Sequence, residues 1–317
     1  MSAELSITTP TYQRPEGLRA ALRSVVDSPV DDPGRVELVV SDNSTDTRSE
    51  DAIRPLLDAW RGPTTYVRHD PGLGMVGNHN ACLKLAKGQW QVILHDDDYL
   101  LPGGLQMVLD GIAESRPDEH VLLFGVRVVD EHGRRLRLQR FRHRNRLSPA
   151  DALRKLLTGS SFVRIPAVCV RTDAYAAAGG FDKDVAAVED YDMWIRLFAR
   201  YGVTLVPHTI GAYVVHSQAE TEKMFDAEGI ALVSELYRRA ARTGVLDEAE
   251  LRRRQRVFFH QFILAGTFRR LRRRDWTEAR RVMTLFCLPE VRRLGVSRRW
   301  LAVRLAFAAV TGVTGGR

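Results

Sequence analysis

Short β-branched runs alternate with stretches of helical period along the first two thirds or so of the chain. "LSITT" predicts a strand, and "PEGLRAALRSVVD" a helix opening at Pro15, whose fixed φ suits a first helical position. Leu18, Ala21, Leu22 and Val25 fall on one face of that helix. "RVELVV" predicts a second strand closed by the turn-rich "SDNSTD"; after a helical stretch to about Trp60, "TTYVR" predicts a third. "GNHNACLKLAKG" predicts a helix stopped by Gly88, and "WQVILH" a fourth strand. This alternation calls for an α/β fold, a parallel sheet covered by helices on both faces.

Further on, "HVLLFGVRVVD" predicts a strong strand, "AVCVR" and "YGVTLVP" weaker ones, and the basic, polar "EHGRRLRLQRFRHRNRLSP" a hairpin or a mobile loop. "EDYDMWIRLFARYG" predicts a helix with Met193, Trp194, Leu197 and Phe198 inward and Gly202 at its end. From about Gln218 the pattern is all helical, with arginines on the polar faces.

Composition refines this picture. The 317 residues, 44% hydrophobic, suffice for one large domain or two ordinary ones. The formal charge of +8 is unevenly placed: residues 217–317 hold 21 Lys and Arg against 11 Asp and Glu, whereas residues 1–216 are close to neutral. A division near residue 217 follows. Cys82, Cys169 and Cys287 make no metal-ligand spacing and suit a reducing compartment. "MSAELSITTPTYQRPEG" lacks the basic start and apolar run of a signal peptide, so a cytoplasmic location is expected. The C-terminal "RRWLAVRLAFAAVTGVTGG" is broken by Arg304 and is shorter than the roughly 20 residues that span a bilayer. It suits an interfacial amphipathic helix in peripheral contact with the inner membrane face, a helix packed on the rest of the chain, or self-association. No nucleic-acid module is present in the pattern.

The candidate chemistry sits in "VILHDDDYLLPG", where three consecutive carboxylates follow an apolar run. Two such charges at close range repel by about 4 kcal/mol at an effective dielectric near 20, so a cation or thorough hydration is required. In open α/β sheets ligands sit outside the carboxyl ends of the strands. Three such ends here are polar: "TPTYQR", "SDNSTD" and "HDDDYLLP". If the last strand continued regularly, Asp96 and Asp98 would share a face and Asp97 would point away.

With "ITTPTYQRPEGLRAALRSV", "ELVVSDNSTD", "GLGMVGNHNACLKLAKGQWQVILHDDDYLLPGGL" and "AGGFDKDVAAVEDYDMW" in that order, the chain resembles family 2 inverting glycosyltransferases over roughly residues 5–216. The resemblance implies a GT-A, Rossmann-like fold with a mixed, mainly parallel sheet; the Arg-rich remainder lies outside the shared pattern. It implies a catalytic domain over 1–216, with a nucleotide-sugar half to about residue 102 and an acceptor half from 103; the charge and the helical pattern set off the region 217–317.

Carried over by position, the resemblance places Pro10, Thr11, Tyr12 and Arg14 along the donor site, with Tyr12 stacked on the nucleobase. Asp42 would accept from the base N–H, Asn80 would shape the nucleotide pocket, and Asp96 would touch the ribose. Asp97 and Asp98, with His216, would hold Mn²⁺ or Mg²⁺ against the diphosphate, which suits hard oxygen ligands. Gly179 and Gly180 would let backbone approach the donor sugar or acceptor. Asp190 would be the base, with Glu189 beside it and Asp192 as the alternative. The chain departs from the family's pattern at His79, which stands where an arginine is usual, and at His95, which stands at the first acid of "DSDD". His95 reads as a strand-end packing residue, and Pro102 falls where the family has a proline, so the strand has ended by there.

The implied activity is transfer of a sugar from a UDP or dTDP sugar to a hydroxyl of a glycan, lipid-linked glycan or natural product. A sugar nucleotidyltransferase would need a Gly-rich, basic loop that "TTPTYQRPEG" does not supply. "HDDD" and "VED" speak against a non-catalytic nucleotide-sugar-binding scaffold.

Overall fold

The strands and helices alternate as the periodicity requires. The computed structural model describes residues 3–159, 161–216 and 224–313, so the helical reading of residues 218–223 lies outside the described residues. The strands are β1 (Leu5–Thr11), β2 (Val36–Asp42), β3 (Thr64–Arg68), β4 (Trp90–Ile93), β5 (Tyr99–Leu100), β6 (Val121–Asp130), β7 (Arg135–Gln139), β8 (Asn145–Leu147), β9 (Val168–Arg171) and β10 (Val203–Val215). The α-helices up to residue 201 are α1 (Pro15–Val26), α2 (Arg48–Ala59), α3 (Gly74–Leu85), α4 (Gly104–Ala113), α5 (Pro149–Leu156), α6 (Thr172–Ala178) and α7 (Glu189–Tyr201).

One 10-stranded mixed sheet runs β3-β2-β1-β4-β9-β6-β10-β5, with β7 added to β6 and β8 to β10. The half of the sheet built from the first four strands is parallel throughout: β1 pairs with β2 and β4, and β2 with β3. β9 enters antiparallel between β4 and β6, while β6 and β10 are parallel. The basic stretch after β6 resolves into the hairpin alternative: β7 pairs antiparallel with β6, and β8 caps β10.

α1 starts at Pro15 and buries Leu18, Ala21, Leu22 and Val25, the face its period marks. α7 buries Met193, Trp194, Leu197 and Phe198 and stops at Gly202, whose φ of +70° is open to glycine without strain. The stop of α3 differs from expectation. The helix ends at Leu85 with Ala86 extended, three residues before Gly88. Gly88 serves close packing instead, since a Cβ there would lie 2.6 Å from the Ser6 backbone nitrogen. The same crossing is fixed by polar groups. Ser6 Oγ donates to the buried Glu37 at 2.6 Å and accepts from Gly88 N–H at 2.9 Å, and Lys87 N–H donates to Glu37 at 2.8 Å.

The chain divides into two compact units. The first holds the sheet, up to Pro149 and again over Val163–His216; the second holds residues 150–162 together with the described residues from Met224 onward. The charge count does not mark the 150–162 segment. It belongs to the helical unit through ion pairs and hydrogen bonds: Arg154 Nε to Glu250 at 3.0 Å, Arg254 to the Arg154 carbonyl at 2.7 Å, and Tyr237 Oη to the Leu157 carbonyl at 2.6 Å. Arg154 and Arg254 together hold the Glu250 carboxyl down to about 2.

Gly88→Ala should cost about 1–3 kcal/mol or more by forcing a methyl into backbone. An unchanged denaturation midpoint would show that the β1 crossing is looser than this.

Candidate functional site

The carboxyl ends of β1, β2 and β4 lie side by side because these strands are parallel neighbours. The three polar segments therefore meet at one rim. Asn43 N–H donates to the Thr11 carbonyl at 3.0 Å, Gln13 N–H to Ser44 Oγ at 2.9 Å, and Thr11 Oγ1 to Asp96 Oδ2 at 2.7 Å.

β4 ends at Ile93, and the Asp98 N–H closes a turn onto the His95 carbonyl at 3.1 Å. This turn overrides the strand alternation, so Asp96 and Asp98 do not share a face as a regular strand would require. Arg14 supplies the cation the three charges call for, with one terminal nitrogen 3.1 Å from Asp96 and 2.9 Å from Asp97. Burial raises the Asp96 carboxyl above its usual range, while the Thr11 hydroxyl and Arg14 work in the opposite direction. Asp98 is buried and accepts the Val214 N–H at 2.9 Å through Oδ1. Burial, then the neighbouring Asp97 charge, raise it well above the ordinary carboxylate range. Its Oδ2 is buried without a hydrogen-bond partner among the described residues.

Ligand atoms of His95, Asp97 and Asp98 all lie within 4.8 Å of one another. An orphaned buried carboxylate oxygen beside a second carboxylate and an imidazole fits a divalent cation of the Mn²⁺ or Mg²⁺ kind. Burial, and then His79, push the His95 imidazole down to about 4, which leaves it neutral and able to ligate at neutral pH. Sequence pattern reads His95 as packing; the turn carries it into this trio. His216 stands at the margin, its Nε2 3.4 Å from Asp97 Oδ2.

His79 connects this end of the site to the other. Its Nε2 lies 2.9 Å from His95 Nε2 and its Nδ1 2.6 Å from Glu189 Oε1, with both His79 and Glu189 buried. Glu189 opens α7, and Asp190 follows it, half-buried, its Oδ1 accepting the Tyr191 N–H at 2.7 Å. Burial raises the Asp190 carboxyl; the Tyr191 N–H opposes this and the Glu189 charge adds to it. Asp192 is buried and paired with Arg196 at 2.7 Å. Arg164, which no motif marks, lies 4.8 Å over the Tyr213 ring, and its charge bears on both Asp190 and Asp98.

The remaining positions are distributed around the rim. Tyr12 is 60% exposed just past β1, whereas Pro10 is buried within that strand opposite Ser41. Asp42 is buried and accepts the Ser44 N–H at 2.7 Å and the Tyr66 hydroxyl at 2.8 Å. Each carboxylate oxygen has a second lone pair, so acceptor capacity remains. Asn80 grips the backbone of Phe181 from both sides, donating to its carbonyl at 2.9 Å and accepting its N–H at 2.7 Å. That grip sets the turn Gly179–Gly180, with φ of +83° and +78°. A Cβ on Gly180 would lie 2.6 Å from Asn80 Oδ1.

The profile of Glycosyl transferase family 2 matches residues 6–176. An uncharacterized protein of Mycobacterium tuberculosis is 29% identical over 229 residues, which is 69% of this chain and 70% of that protein. Among solved structures, S. aureus TarS 1–349 in complex with UDP superposes with a TM-score of 0.59 at 18% identity, covering 97% of this chain and 87% of that one. The chain spans 54% of the longer TarS chain. The mannosyltransferase PcManGT from Pyrobaculum calidifontis, in complex with GDP-Man and Mn²⁺, has a TM-score of 0.58 at 14% identity and covers 99% of this chain and 87% of its own.

His79→Leu should remove the donor that Glu189 faces and leave a buried carboxylate without it, at a cost of at least about 1–3 kcal/mol. Urea denaturation reads this directly; equal stability would mean that Glu189 is satisfied elsewhere.

Proposed function

The chain belongs to glycosyl transferase family 2, and on that premise we propose that it is a metal-dependent, inverting glycosyltransferase using a UDP or dTDP sugar. The observation that carries this reading is the contact chain His95–His79–Glu189, which runs from the turn that holds Asp96, Asp97 and Asp98 to the residue beside Asp190. In this reading the catalytic domain lies within residues 1–216, less the segment 150–162 that belongs to the helical unit, with the donor half up to about residue 102 and the acceptor half from 103.

Tyr12 offers an exposed ring for the nucleobase, and Asp42 the acceptor for its N–H, which favours uracil- or thymine-type carriers. Thr11 and Arg14 hold Asp96 where the ribose lies. Asp97, Asp98 and His95, with His216 alongside, would hold Mn²⁺ or Mg²⁺, and a cation bound there would supply positive charge to offset that of the nucleoside diphosphate leaving group. Arg14 and Arg164 supply further positive charge at the same end. The turn at Gly179 and Gly180, fixed by Asn80, brings backbone close to the sugar or acceptor.

Asp190 takes the proton of the acceptor hydroxyl as that oxygen bonds to the anomeric carbon and the bond to the diphosphate breaks. A single displacement of this kind inverts the anomeric configuration. Burial makes Asp190 a stronger base than a free carboxylate, and Glu189 adds to that. The acceptor is a hydroxyl of a glycan, a lipid-linked glycan or a natural product.

Asp190→Asn should lower transfer about a hundred- to ten-thousandfold while leaving nucleotide binding near normal; full transfer in that variant removes Asp190 from the chemistry. Asp190 acts deprotonated and its carboxyl is raised, so activity should fall with decreasing pH through a limb above the usual carboxylate range. Glu189→Gln removes a like charge and should move that limb to lower pH; a limb that moves up or stays fixed counts against the pairing. In a thermal-shift screen with Mn²⁺, UDP and dTDP sugars should raise the melting temperature more than GDP sugars. The absence of any shift would overturn the donor assignment.

A further inference from the structure

The helix Leu301–Thr311 of the helical unit is built with its polarity reversed. Of its eleven residues only Thr311 is buried, while Leu301, Val303, Leu305 and Val310 are 41%, 37%, 60% and 56% exposed. Its one charged residue, Arg304, turns the other way, with its guanidinium 4.2 Å over the ring of buried Phe286. A helix on a water-facing surface places its charges outward and its apolar stripe on the core. Here the outward face is the apolar one.

The patch extends past the helix. Phe307 stacks on Phe268 of the helix Glu248–Arg272 at 6.4 Å between ring centroids and 5° between planes, and Phe268 is 50% exposed. The flank is basic: between residues 291 and 313 the chain carries five arginines and no acid. Arg293, Arg298 and Arg299 are exposed, and Arg299 lies 5.6 Å over the Trp300 ring. Among the described residues no helix is long and apolar enough to cross a membrane.

We propose that this face docks on the surface of an anionic phospholipid bilayer, with the Leu301–Thr311 helix lying in the interface plane. The apolar side chains enter the acyl boundary, and the flanking arginines meet the phosphates. A second copy of the chain is the poorer occupant. A two-fold contact through this patch would bring the same run of five arginines, Arg292 to Arg304, against itself. Nucleic acid would match the arginines but leave the apolar centre wet. The proposal is independent of the transfer reaction and needs no sugar donor for its test.

Cosedimentation of the full chain with phosphatidylglycerol vesicles and with pure phosphatidylcholine vesicles reads it. The chain should partition onto the phosphatidylglycerol vesicles at least about tenfold more strongly, and raising the salt should weaken the difference. Leu305→Asp with Val310→Asp should lower partitioning about tenfold without moving the melting temperature, because both side chains are already exposed. Arg298→Glu with Arg299→Glu should lower it on the anionic vesicles alone. Absence of binding to phosphatidylglycerol, or binding that both pairs of substitutions leave unchanged, overturns the proposal. So does light scattering that finds a dimer in solution dissociated by Leu305→Asp, which would assign the face to a second copy.

Discussion

Three consecutive carboxylates at the end of β4 impose the constraint around which the sheet unit is arranged. Neighbouring charges at that spacing repel by about 4 kcal/mol per pair at an effective dielectric near 20, and burial adds a desolvation cost. Each acid meets it differently. Asp96 is held by the Thr11 hydroxyl and Arg14, and Asp97 shares that arginine from a more open position. Asp98, deepest of the three, receives a single backbone N–H and keeps one oxygen without a hydrogen-bond partner among the described residues. That asymmetry turns a repulsive triplet into an ordered set: two acids fixed to the protein's own cation, and one buried acid with an oxygen left over. Even the backbone of α1 takes part, since a Cβ on Gly17 would lie 2.4 Å from the Asp96 carbonyl oxygen. A side chain there would push helix and acidic turn apart.

Much of this was legible in the chain itself. Where structure depends on local period, the buried face matches the pattern: in α1 residue for residue, and in α7 at Met193, Trp194, Leu197 and Phe198, with Glu189, Asp192 and Ile195 buried beside them. The meeting of three polar segments at one rim was also legible, because parallel topology dictates it once strand–helix alternation is recognised. What escaped are features made by pairing across long separations. His79 and Glu189 are 110 positions apart, and neither residue nor its neighbours mark the contact. Arg164 precedes a short buried strand in a segment with no motif, and only the fold brings it over Tyr213. Strand alternation, which would set Asp96 and Asp98 on one face, fails past Ile93 because a turn replaces the strand there, and that turn also brings His95 beside Asp97 and Asp98. Gly88 shows that a glycine near a helix end need not be its stop, since the close approach of β1 excludes a side chain at that position.

The helical unit follows a different economy of charge. Its arginines are spent partly on internal ion pairs, as where Glu250 receives Arg154 and Arg254, and partly on the exposed flank of the terminal helix. The same residue type thus neutralises acids within the unit and surrounds an uncovered apolar face at its end. Composition alone cannot separate these uses, because both read as basic helix. The orientation of a single residue, Arg304 over Phe286, distinguishes them.

Asn80 has a mechanical corollary. Its amide holds the Phe181 peptide by both its N–H and its C=O, across 101 residues of chain. α3 and the double-glycine turn are therefore clamped into one lever, and displacement at either end must be transmitted to the other. Any insertion or deletion beside Gly180 therefore has to preserve the pitch of that one peptide plane if α3 is to keep its hold on the turn.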